Sequence, residues 1–220
     1  MNSFLDPSTS SLKICGITVE SEAETLVELG VDALGINFWP KSKRYLSPEK
    51  AEHLLTNCKN RIVRVGVFVN EPAETPLRLL ESGLIDIAQF HGDENPDYCI
   101  PFAEAGLPFI KAIGVKNKSS LDNITDYGAS AILLDTPAPG VYGGTGETFD
   151  WAHARDFISK HPDIPVLLAG GITPDNAAAA ISEVKPCALD IASGAELSPG
   201  IKDFTKVAAL LSCTQATRNS

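Results

Sequence analysis

The chain has 220 residues, 44% of them hydrophobic, enough to bury one full core in a single domain. Its formal net charge of −10 argues against nucleic acid or an anionic membrane surface as a partner, since both call for a basic patch. A small anionic substrate stays compatible wherever a few cations and backbone amides gather locally.

The five cysteines, Cys15, Cys58, Cys99, Cys187 and Cys213, are dispersed and never form C-x-x-C. They read as reduced thiols, and no zinc spacing is present. The first eleven residues are Ser-rich, carry Asp6 and lack both a basic and an apolar stretch. They read as a disordered tail and not as a signal peptide. No apolar run reaches the roughly 18 residues that suggest a membrane span. The expectation is a soluble, cytoplasmic protein.

From Leu12 onward, strand-like apolar runs alternate with helical patterns. The first strand is Leu12–Thr18, followed by a helix over about Ser21–Leu29 with Ser21 as its cap and Gly30 as its stop. The second strand is Ala33–Phe38, then a basic loop Pro40–Leu46. Ser47-Pro48-Glu49-Lys50 next supplies a cap, a proline at the first helical position and an early acid. Strands Ile62–Val69 and Asp86–Phe90 follow, with helices at Pro72–Ser82 and Pro96–Glu104. A fifth strand, Pro108–Val115, leads to a polar helix at Ser120–Tyr127.

The sixth strand, Ala131–Asp135, runs into the longest loop, Thr136–Thr148. After it come a helix at Trp151–Ser159, a strand at Val166–Ala169, an alanine-rich helix at Thr173–Val184 and a strand at Ala188–Ala192. A last helix covers about Lys202–Leu211, and the residues beyond Cys213 form a polar tail. Eight short strands, apolar on both faces and joined by crossover helices, predict a parallel (β/α)₈ barrel. The alternative, an open doubly wound sheet, wants a Gly-rich loop after the first strand. Cys15-Gly16-Ile17-Thr18 is not G-x-G-x-x-G.

In such a barrel the chemistry gathers at the C-terminal ends of the strands. Those ends carry Cys15, Asn37, Asn70, His91, Asp135, Gly170-Gly171 and Ser193-Gly194. Alternation puts Lys13 on the same side as Cys15, where an ammonium is expected to lower the thiol pKa; a free Cys also reads as a small buried hydrophobe. Asp135 closes an Ile-Leu-Leu run, so its carboxyl group faces an apolar mouth suited to a general acid, or else it is a turn aspartate ahead of Pro137. Leu168-Ala169-Gly170-Gly171-Ile172-Thr173-Pro174 and Ala192-Ser193-Gly194-Ala195 offer backbone amides to a phosphate. Gly143-Gly144-Thr145-Gly146 forms a third wall or a cover. Arg44, in Lys41-Ser42-Lys43-Arg44, is a bidentate carboxylate clamp or one of a solvated cluster. His91 is a base or a structural histidine.

The chain resembles phosphoribosylanthranilate isomerase of tryptophan biosynthesis. The resemblance runs from about Leu12 to Leu211 and rests on KICGIT (13–18), PKSKRYLS (40–47), QFHGDE (89–94), LLDT (133–136), GGTGETFDW (143–151), LLAGGITPDN (167–176) and LDIASGAE (189–196). It implies one barrel domain over 12–212 between tails at 1–11 and 213–220, with no cofactor and no metal. It implies the Amadori rearrangement of N-(5-phosphoribosyl)anthranilate to 1-(2-carboxyphenylamino)-1-deoxyribulose 5-phosphate. Asp135 matches the general acid and Cys15 the general base. Arg44 matches the grip on the anthranilate carboxylate, and His91, Gly143, Gly144, Gly146, Gly170, Gly171, Asp190, Ser193 and Gly194 match the substrate and phosphate side. The sequence departs at Ala192, where a hydroxyl or amide side chain is common, and at Lys43, where proline is common.

The expected partner is a small phosphosugar, with no nucleic acid and no membrane, for a monomer or homodimer. Two other readings compete with it: a Schiff-base lyase that uses Lys111 in the fifth strand, and a barrel that binds phosphosugars without catalysis.

Overall fold

The computed structural model describes residues 3–137 and 149–218. Its strands β1 (Ser11–Cys15), β2 (Ala33–Asn37), β3 (Val63–Phe68), β4 (Ile87–Phe90), β5 (Phe109–Gly114), β6 (Ala131–Asp135), β7 (Val166–Leu168) and β8 (Ala188–Ile191) close into a parallel barrel in chain order. The expected barrel is therefore the fold. Helices α1 (Glu20–Leu29), α2 (Pro48–Asn57), α3 (Glu74–Glu81), α4 (Pro96–Glu104), α5 (Trp151–Lys160), α6 (Ala177–Val184) and α7 (Phe204–Arg218) accompany it. Short 3₁₀ turns at Lys118–Leu121 and Ile124–Tyr127 stand where one polar helix was expected.

The strand period of two sorts the core into two regions. Val63, Val65, Ile87, Ile110, Ala112, Ala131, Leu133, Leu167 and Ala188 pack together inside the barrel. Leu12, Ile14, Leu34, Ile36, Phe68, Phe90, Phe109, Ile132 and Leu134 pack outward, with the helices. The closing seam pairs β1 with β8 and sets Lys13 opposite Asp190. Of the helix signals, Ser47 caps α2 by accepting from the Lys50 amide, with Pro48 at the first position. Ser21 caps nothing, because α1 already starts at Glu20.

Both expected tails need correcting. Ser3–Leu5 form a 3₁₀ turn and Phe4 is buried in the interior barrel cluster beside Ala33, Val63 and Ala188. One aromatic side chain filling the barrel overrides the Ser-rich character of the stretch around it. At the other end α7 continues to Arg218, with Thr214 fully buried. An element not expected at all is a small antiparallel hairpin, β9 (Glu196–Ser198) with β10 (Ile201–Lys202), turned by Pro199-Gly200.

Candidate active site

A cavity of about 650 Å³ opens at the C-terminal ends of the strands. Its walls include Cys15, Arg44, His91, Asp135, Gly170, Gly171, Asp190, Ser193 and Gly194. The expected site residues are thus brought together, except Gly143, Gly144 and Gly146, which lie outside the described residues.

Cys15 ends β1 and is half-buried. Lys13, two residues earlier on the same face, is fully buried, hydrogen-bonds the thiol and pairs with Asp190 Oδ1 at 2.8 Å. Burial works against the Lys13 charge, but Asp190 and Cys15 outweigh it and hold the ammonium above its usual pKa. The expected lowering of the thiol pKa is not found. Burial pushes Cys15 up, Asp190 adds to that, and the pull of Lys13 and Lys202 is insufficient to reverse it.

Asp135 ends β6, three strands away around the seam through β8 and β7. Its Oδ1 accepts from the Thr136 amide at 2.7 Å, and its Oδ2 lies 3.1 Å from His91 Nε2. His91 Nδ1 in turn meets the Gln89 amide nitrogen at 2.9 Å. His91 is therefore the neighbour of Asp135. Asp190 has an oxygen committed to Lys13, so it acts first as that lysine's counterion.

Arg44 reaches the cavity from the basic loop, but its fork is already occupied. Nε donates to Glu196 Oε1 at 2.8 Å and Nη2 to Oε2 at 2.7 Å. Glu196 Oε1 also accepts from Lys202 Nζ at 2.8 Å and from the Gly200 amide at 3.1 Å. Lys202 Nζ donates in addition to the Cys15 carbonyl at 2.6 Å. Burial alone would raise the Glu196 pKa, yet Arg44 and Lys202 hold it below the usual carboxylate value. Glu196 and Lys202 were not singled out from the sequence. Their one signal was Pro199-Gly200, a turn dipeptide between two very short runs.

The glycine turns after β7 and β8 touch. A side chain at Gly194 would place its first carbon 1.9 Å from the Ile172 carbonyl oxygen. Asn176 fastens the same turn, donating to the Gly171 carbonyl at 2.9 Å and accepting from the Thr173 amide at 2.8 Å.

Lys111 does not line the cavity. Strand alternation turns it away from Ile110 and Ala112, and its ammonium bonds the Gly92 carbonyl at 2.7 Å and Glu94 Oε2 at 2.9 Å. A lysine so placed has no route to a substrate carbonyl. Among the described residues, no group of three or more His, Cys, Asp or Glu side chains converges to hold a metal ion, and no helix is long and apolar enough to cross a membrane.

A thiol under a buried ammonium, a carboxyl group with two hydrogen-bond partners and a nearby pair of glycine turns define a (β/α)₈ barrel enzyme built for acid–base chemistry. The model of the N-(5'-phosphoribosyl)anthranilate isomerase family matches residues 12–212. The N-(5'-phosphoribosyl)anthranilate isomerase of Trichlorobacter lovleyi is 43% identical over 196 residues, 89% of this chain and 93% of that protein. The solved phosphoribosyl anthranilate isomerase of Thermotoga maritima superposes with a TM-score of 0.83 at 37% identity, covering 94% of this chain and all of that one. Another solved isomerase, in complex with reduced 1-(o-carboxyphenylamino)-1-deoxyribulose 5-phosphate, gives a TM-score of 0.81 at 35% identity, with 94% of this chain and 100% of that chain covered. This chain belongs to the N-(5'-phosphoribosyl)anthranilate isomerase family.

Proposed function

We propose that this chain performs the reaction for which its family is named, with Asp135 as general acid and Cys15 as general base. The observation that carries the assignment is that both groups line one cavity, which Arg44 and the glycine turns at 170–171 and 193–194 also border. In the first step the anilino nitrogen lone pair forms a C1=N bond as the C1–O bond of the furanose breaks. The ring oxygen takes the proton of Asp135. Cys15 then removes the proton on C2, and that electron pair moves through C1 to nitrogen, leaving an enolamine. Protonation of C1 and loss of the enol proton give the ketose.

Proton transfer by placed groups supplies on the order of 10²–10⁴-fold each, and the rest comes from orientation. Arg44 grips the anthranilate carboxylate with the donors that Glu196 leaves open. Backbone amides of the two glycine turns take the phosphate, with Ser193 and Gly194 on its side, and this needs little formal charge. Asp190 serves through Lys13. The partner is this small phosphosugar; the net charge of −10 disfavours nucleic acid. We place the enzyme in the cytoplasm, as a monomer or homodimer.

The test is turnover of freshly prepared phosphoribosylanthranilate, followed by loss of its anthranilate-type fluorescence. Robust turnover is expected. An inactive, well-folded protein would overturn the proposal.

A further inference from the structure

Gln89 has no place in the reaction as described so far, yet it is fully buried on β4 facing the same way as His91. Its strand neighbours in register are Val67 and Ile110, both apolar. Its amide oxygen has no hydrogen-bond partner among the described residues, while its amide nitrogen points at His91 Nδ1 at 2.9 Å. An unsatisfied buried amide oxygen is a cost that packing alone does not explain.

The chain of contacts accounts for it. Thr136 N–H is a fixed donor to Asp135 Oδ1. Once Asp135 has given up its proton, it can only accept, so His91 Nε2, 3.1 Å from Oδ2, must be the nitrogen that carries hydrogen. A neutral imidazole then has only an acceptor left at Nδ1. Gln89 must therefore turn its NH₂ toward the ring and leave its oxygen elsewhere, which is how it sits.

We infer that Gln89 is a positioning residue that locks His91 in the Nε2–H tautomer, so that a donor is already aimed at the charge that develops on Asp135. The inference rests on the proposed role of Asp135 as acid. A protonated Asp135 fits the same arrangement, because Oδ2 accepts from His91 on one lone pair while its proton points into the cavity. Nothing rotates during the transfer, so the stabilisation is preorganised.

The test combines Gln89→Met, which keeps the length and removes both polar atoms, with Gln89→Glu. Long-range ¹H–¹⁵N spectra of the histidine rings report the tautomer, His91 being assigned by its loss in His91→Asn. In the wild type, Nδ1 is expected as the bare nitrogen and Nε2 as the protonated one. In Gln89→Met the ring is expected to show a mixture of tautomers, with kcat down by roughly tenfold, a part of what a placed acid supplies. KM is expected to stay within about twofold, as for an interaction made mainly in the transition state. In Gln89→Glu the carboxylate is expected to draw hydrogen onto Nδ1. This variant carries the reading alone if the Met variant fails to fold.

A wild-type ring protonated on Nδ1 only would overturn the proposal. So would an unchanged kcat in a folded variant whose tautomer lock is lost. Undiminished turnover by Asp135→Asn is a different failure: it would remove Asp135 as acid and leave the tautomer result standing.

Discussion

Arg44 and Glu196 meet in a two-point hydrogen bond, Nε to Oε1 at 2.8 Å and Nη2 to Oε2 at 2.7 Å. The same carboxylate holds Lys202, whose side chain is fully buried and whose ammonium reaches the Cys15 carbonyl. One acid therefore ties the proposed carboxylate grip to the strand that carries the proposed base. Glu196→Ala leaves a buried ammonium without its counterion, a loss of about 3–5 kcal/mol. Chemical denaturation measures it, and a loss below about 1 kcal/mol would count against the coupling. Glu196→Gln keeps part of the hydrogen bonding and is expected to be milder in stability but still to raise KM.

The Cys15 thiol gives a pH dependence with a definite sign. Burial holds its pKa above the ordinary thiol value of 9.0, so the thiolate that serves as the proposed base is a minor fraction at neutral pH and climbs with pH. Alkylation of Cys15 by iodoacetamide, taken as the difference between wild type and Cys15→Ser, is expected to rise through pH 9.0 without levelling off. A plateau near neutrality would mean that Lys13 has won over burial.

Cys187, buried and pushed up to about 12, extends that sign to stability. Its folded form holds a proton that the unfolded thiol releases near 9.0. Stability is therefore whole below that value and lost as pH rises past it, by about 1.4 kcal/mol at about pH 10. Thermal unfolding of Cys187→Ala is expected to fall less steeply over this range than that of the wild type.

Lys111 and Glu94 form a fully buried pair that also gathers the Gly92 carbonyl and the Asn70 and Gly92 amides. Lys111→Met strands the carboxylate and is expected to cost about 3–5 kcal/mol. Adding Glu94→Gln is expected to restore part of it. Borohydride with substrate is expected to trap no adduct at Lys111; a stable adduct there would revive the lyase reading.

Gly170 stands at φ +82°, and a first side-chain carbon there would lie 2.3 Å from Thr136 Oγ1 and 2.8 Å from Asp135 Oδ1. Gly170→Ala combines a left-handed alanine, about 1–2 kcal/mol, with a push on Asp135, the proposed acid. Loss of kcat beyond what the drop in melting temperature explains is expected, read from activity well below the transition.

The barrel was legible because its signal is redundant. Each strand is a short Val-, Ile-, Leu- or Ala-rich run, and each is followed by a helix signal or a turn. Cys15 and Asp135 were legible because a reactive side chain ending an apolar run stands out from its neighbours. The hairpin of Glu196 and Lys202 was not, since runs of three and two residues are too short to show a period. Phe4 was lost in the average character of a Ser-rich stretch, although a single buried aromatic is enough to seat it. That Lys13 faces Cys15 follows from alternation, but the balance of its charge against burial depends on how deep the pair lies. Gln89 is two residues from His91 in any reading; the carboxyl group that gives the pair meaning lies on β6, two strands further round the barrel.

The most direct test of the central claim is turnover of phosphoribosylanthranilate by wild type, Cys15→Ser and Asp135→Asn side by side, with folding checked by circular dichroism. An active wild type is expected, with each folded variant reduced by about 10²–10⁴-fold. Activity near the wild-type level in either variant would contradict the assignment of that residue, and in both would dismantle the acid–base pair.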